Sequence, residues 1–128
     1  MLSADVFSHS GNGGSSPAAR AGAAGYPGFF IGENISWQGS TGPVSINGLV
    51  GELHRSRFLS AGHRENILDD GFDELGIGLD AGTFTSTRDW NAVMLTELFG
   101  NAGSGSFLSG VVFADANRNG SYDIGEGR

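Results

Sequence analysis

Three imidazoles and one carboxylate are the side chains of this sequence best suited to chemistry: His9 in SHSG, His54 in ELHRS, His63 in SAGHREN and Glu33 in GENI. Imidazole nitrogen and carboxylate oxygen together suit a borderline divalent ion such as zinc. The same groups can act as general base and acid. The chain has no cysteine, so thiolate sites and disulfides are excluded, and a metal would rest on His, Asp, Glu, Asn or backbone oxygens. No spacing forms a tight signature such as HExxH. Spacing alone therefore leaves two readings: a binding or catalytic site, or His9 and His63 buttressing loops while Glu33 pairs with a nearby donor. Two catalytic arrangements can be drawn. One is a metal-activated water on His9, Glu33 and His63. The other is a nucleophilic Ser8, Ser10 or Ser60 beside a histidine with Glu33 as orienter, although no G-x-S-x-G elbow is present.

These residues must be carried by local structure. SSPAARAGAAGYPG predicts a short helix, capped by Ser15 or Ser16, started by Pro17 and stopped at Gly25. A second helix is predicted from about Val44 to Leu59, with Ile46, Leu49, Val50 and Leu53 as its core-facing stripe. At about 100° per residue, Glu52 and His54 diverge too far to face one site. The stripe places His54 on its shoulder and turns Glu52 away, so His54 is the better site-facing residue. SAGHRENIL reads as a turn and a brief helix closed by DDG. Glu33, directly after a glycine, is read as projecting from a tight turn. Leu75–Leu79 and Val93–Phe99 predict strands, the second more apolar and better centred in a sheet, with DAGTFTSTRDWN as a hairpin loop between them. Helices and strands interleave without internal repeat, which predicts a layered α/β or α+β domain.

The bulk properties set bounds. With 128 residues, 38% hydrophobic and 16% charged, the chain suits a soluble globular protein with a real core. Its 23 glycines and 3 prolines predict many turns. A net charge of −7 argues against nucleic acid or an anionic membrane surface as partner. No apolar run approaches the roughly 20 residues of a membrane span, and MLSADVFSHSG lacks the basic and apolar regions of a signal peptide.

The blocks SHSGNGGSSPAARAGAAGYPG, GENISW, LHRSRFLSAGHRENILDDGFDELGIGL and MLTELFG resemble, in order, those of bacterial CAP-superfamily domains. That superfamily groups cysteine-rich secretory, antigen 5 and pathogenesis-related 1 proteins. The likeness spans 1–100 and implies an α+β fold of CAP-type α-β-α sandwich architecture. It further implies secretion, and a cleft of two histidines and two acidic residues able to hold a divalent cation. Residue by residue, His9 matches the first family histidine and Glu33 the glutamate of GEN. In eukaryotic relatives the second histidine lies on a late strand before a Thr-Gln pair. Here that strand has Met94 near the place and Glu97 instead of Gln, while the GHR element supplies His63. The family glutamate of the central helix has no clear counterpart; Glu52 is nearest and His54 better oriented. The expected site is thus His9, Glu33 and His63, with His54 as a further member and Arg64 and Asn66 as structural support. The resemblance also implies a missing first helix, so that Met1 is not a true start and apolar surface is exposed. Family members are mostly regarded as binding or signalling modules, some for lipids, which makes a small molecule, lipid or peptide the expected ligand.

After residue 100 the composition shifts. Residues 101–106 read as a linker, and 107–128 as the start of a second, β-sandwich-like domain of a larger polypeptide. DANRNGSYDIGE fits a calcium-loop pattern. Asp115, Asn117 and Asn119 would ligate first, Ser121 through its carbonyl, then Asp123 and Glu126. The strand-like SGVVFADA before it argues against an EF-hand. The stretch is similar instead to calcium-binding β-sandwich repeats of large bacterial surface proteins; an ion-free Asx-rich turn is the other reading.

Overall fold

The computed structural model describes residues 2–28 and 30–103; the calcium-type loop, with all of 107–128, lies outside the described residues. Three helices and three antiparallel strands give an α+β fold. The order is α1 (Pro17–Ala23), β1 (Phe30–Ser40), α2 (Ile46–Leu59), α3 (Ala61–Leu68), β2 (Glu74–Thr85) and β3 (Asp89–Asn101). Short 3-10 turns at Leu2–Ala4 and Asn12–Gly14 precede them.

Helix α1 starts as its sequence predicts. The Ser16 hydroxyl oxygen accepts from the Ala19 amide at 3.1 Å, Pro17 needs no amide partner, and Gly25 takes a left-handed φ of 86° just past the end. Tyr26, just beyond that glycine, donates its hydroxyl to Glu74 and so ties the end of α1 to β2. A side chain at Gly100 would collide with the Tyr26 ring, so only glycine lets the two approach. Burial, and then Glu74, push the Tyr26 pKa up to about 12 from 10.0. The folded chain therefore keeps a proton that the unfolded chain loses above about pH 10. This contribution to stability is present below that value and falls away as pH rises towards 12. Urea titrations at about pH 9 and about pH 11 should show the decline in wild type and a shallower one in Tyr26→Phe. Equal declines would remove Tyr26 as its source.

Strand β3 lies at the centre of the sheet, in the order β1-β3-β2. Its centre, Ala92, Val93, Met94 and Leu95, is buried on both faces, which explains an unbroken apolar run where an exposed strand would alternate. Val93 and Leu95 pack with Leu53 of α2, supported by Val44 and Leu49. On the opposite face Ala92 and Met94 pack with Phe84, and Leu2, Trp37 and Trp90 close over them. Helices α2 and α3 thus cover one face, while α1 and the N-terminal segment cover the other.

Three expectations need correction. The stretch around Glu33 is no tight turn but the middle of an 11-residue strand, paired along its length with β3. Ile46, the first residue of α2, is 42% exposed instead of buried. Strands β2 and β3 run through most of the expected hairpin loop, leaving a tight connection in which the Ser86 amide donates to the Arg88 carbonyl. Strand β2, at the second edge, is exposed along most of its length. Leu75, Ile77 and Leu79 form an apolar row on the α2–α3 face, at 55%, 64% and 44% exposure.

Candidate functional site

Alternation along β1 sends Glu33, Ile35 and Trp37 to the α1 face and Asn34, Ser36 and Gln38 to the α2–α3 face. Gly32 leaves room for Phe72 on the α2–α3 face: a side chain there would meet that ring at 2.7 Å. Glu33, with its side chain only 5% exposed, accepts from two partners. His9 Nδ1 lies 2.8 Å from its Oε1, and Arg20 Nη2 donates to its Oε2 at 2.6 Å. Arg20 also donates through Nη1 to the carbonyls of Ser15 at 2.7 Å and His9 at 3.1 Å. One helical arginine therefore fixes both the carboxylate and the loop that carries the imidazole. His9 remains 58% exposed, so a buried carboxylate holds an accessible imidazole by one ring nitrogen. That is the relationship by which a base is oriented in acid–base catalysis.

A second imidazole–carboxylate–guanidinium trio occupies the other face. Glu97 Oε1 is shared by His54 Nδ1 at 3.0 Å and Arg57 Nη2 at 3.1 Å. Arg57 is 1% exposed and also donates to Ser36 Oγ at 2.8 Å. Its burial lowers the Arg57 pKa from the ordinary value, and the neighbouring Glu97 opposes that effect. Asn34, fully buried, faces Glu97 Oε2 at 3.4 Å and donates to the His63 carbonyl at 2.9 Å, while its own side-chain oxygen accepts from Asn66 at 2.8 Å. This network locks α3 onto the sheet. Asn66 also approaches the Glu33 carbonyl at 3.5 Å, and Arg64 donates to the Phe58 carbonyl at the end of α2 at 3.2 Å.

The expected site residues are thus distributed. His9 and His63 line one hollow of about 550 Å³, together with Phe7, Ser8 and residues Ile35, Ser36 and Trp37 of β1. Glu33 touches His9 but lines a neighbouring hollow of about 410 Å³ with Ser8, Ser10, Arg20 and Thr96. His54 does not join them: α2 packs on the opposite face, where His54 meets Glu97, and Glu52 meets Gln38 at 3.2 Å. Among the described residues no group of three or more His, Asp or Glu is placed to hold a metal ion. Glu33 has both oxygens engaged, one by His9 and one by the Arg20 guanidinium. In this arrangement Glu33 lines one hollow and His63 another, and His9 links the two through its contact with Glu33. The Nδ1 of His63 is buried and has no hydrogen-bond partner among the described residues.

Sequence reading missed Arg20, Asn34 and Arg57. Two signals were available. Glu97 is a charge inside the apolar VMLTELF and demands a buried counter-charge. Arg57 lies four residues beyond Leu53, on the same helix face as the core stripe.

No family model matches the chain, and neither a curated protein nor a solved structure is significantly similar to it.

Proposed function

We propose that this chain is a secreted, CAP-type binding module of a larger extracellular bacterial protein, holding its ligand in the hollow between His9 and His63. The observation that supports it is that His9 and His63, far apart in sequence, line one shallow, open hollow of about 550 Å³. The order of the sequence blocks supports the family, and the α+β layering agrees with it. The acidic charge of −7 favours partners other than nucleic acid. Among the described residues no helix is long and apolar enough to cross a membrane.

Zinc chloride is a direct probe of the hollow, because two imidazoles without a third ligand bind it weakly. Calorimetry should show weak binding that is reduced alike by His9→Ala and His63→Ala and left unchanged by His54→Ala. Equal affinity in all four proteins would separate the two histidines and end the shared-site reading. The oriented His9–Glu33 pair favours a second reading, a hydrolase. Casein and simple ester substrates, with and without chelator, decide between them: turnover lost in His9→Ala replaces the binding module with an enzyme.

A further inference from the structure

The floor of the hollow is a sheet edge, and the register of the sheet fixes which backbone groups it presents. The Ser86 amide bonded to the Arg88 carbonyl closes the β2–β3 hairpin, so those two residues form a hydrogen-bonded pair. Antiparallel ladders alternate hydrogen-bonded and non-bonded pairs. Even-numbered residues of β3 therefore turn their amides and carbonyls to β2, and odd-numbered ones, including Val93, Leu95 and Glu97, turn theirs to β1. There they meet Gln38, Ser36 and Asn34. It follows that Glu33, Ile35 and Trp37 direct their N–H and C=O groups outward, away from the sheet. Asn66, reaching the Glu33 carbonyl from outside the sheet, agrees with this assignment. No described group takes up the outward amides and carbonyls of Ile35 and Trp37, the two residues that line the hollow.

An edge strand with such groups is a template for another strand, and proteins ordinarily blunt it with lysine, proline or a covering loop. Here Ile35–Trp37 carries neither lysine nor proline. Ile35 is only 6% exposed, yet it lines the floor of the hollow. The banks stand on opposite sides of the edge: Phe7, Ser8 and His9 on the α1 side, and His63 on the α3 side. A shallow hollow whose floor is the outer edge of β1 at Ile35 and Trp37, flanked by Phe7, His9 and His63, matches an extended polypeptide. Such a peptide satisfies the floor with its own backbone and places alternate side chains on either bank.

Resting on the reading of the hollow as a binding site, we infer that its ligand is an extended peptide, added as a strand along β1 at Ile35 and Trp37. His9 and His63 flank the bound strand and contact its side chains, so that the backbone supplies affinity and the imidazoles supply selectivity.

The test uses the whole chain, immobilised, and two synthetic pools of random decapeptides. One pool has ordinary amides, and the other carries N-methyl groups at alternate positions, which block strand pairing but keep the side chains. Retention of the ordinary pool should exceed that of the methylated pool by about tenfold or more. Retained peptides should shift the amide resonances of Ile35 and Trp37 in the protein's NMR spectrum. Equal retention of the two pools, no retention, or shifts confined to Leu75–Leu79 of β2 would overturn the inference. So would concentration-dependent changes at Ile35 and Trp37 without peptide, which would make a second copy the occupant. Zinc binding that still depends on His9 and His63 in any of those cases would leave the shared hollow standing and remove only its peptide ligand.

Discussion

Replacing Glu97 with alanine is expected to lower the stability of the chain by about 3–5 kcal/mol, the range for breaking a buried pair from one side. The reason lies in what is left behind. Arg57 is 1% exposed, and Glu97 is the carboxylate it faces, at 3.1 Å. Without that carboxylate a guanidinium that cannot shed its proton stays buried against the core strand. Asn34 loses a partner in the same step, and with it part of the attachment of α3. For a domain of this size the loss rivals the whole free energy of folding. Replacing both charges, Arg57→Met with Glu97→Leu, should recover most of it, because two apolar side chains leave no orphaned charge. Urea unfolding followed by circular dichroism compares the variants. A loss under about 1 kcal/mol in Glu97→Ala would mean that water reaches Arg57 and that the network is not structural.

Glu33→Ala should cost about 1.5–3 kcal/mol, from hydrogen bonds to a charged group that is itself almost wholly covered. This is smaller than the first effect for a stated reason. Arg20 is 36% exposed and keeps its contacts to the Ser15 and His9 carbonyls, so water and backbone compensate part of the loss. The larger consequence is local. His9 loses the contact that fixes its ring, and its imidazole resonances should broaden or shift while those of His54 stay in place. Glu33→Gln, which can still accept from one partner, should fall between the two. If His9 is as well ordered in Glu33→Ala as in wild type, the carboxylate does not position it.

Why some of this was readable from sequence and some was not follows from the range of the interactions. Local signals read well. Ser16, Pro17 and Gly25 act within a few residues of themselves, and α1 begins and ends where they place it. The central position of β3 was legible in its apolar stretch Ala92–Leu95, since a strand covered on both sides accommodates apolar residues at successive positions. Strand β1 was not legible, because FIGENISWQGS mixes glycine and polar residues that a strand tolerates only when its partners satisfy them. Those partners, Arg20, Arg57 and Asn66, are brought by separate helices. Sequence distance likewise hides which face a helix covers. The shoulder position of His54 was sound helix geometry, but α2 lies on the far side of the sheet from His9, so His54 and Glu33 belong to different trios.

The apolar row of β2 has a consequence for how this chain behaves in bulk. Leu75, Ile77 and Leu79 lie along one face of an outermost strand, and the intervening Gly76 and Gly78 leave its opposite face flat. Flatness and the scarcity of charge are what stacked fibrous assemblies require of a segment. Crowding such molecules together, even while every one remains correctly folded, brings like rows within reach of each other, and mutual repulsion from a net charge of −7 is the force that keeps them apart. Salt, by screening that repulsion, acts directly on the molecule's colloidal fate.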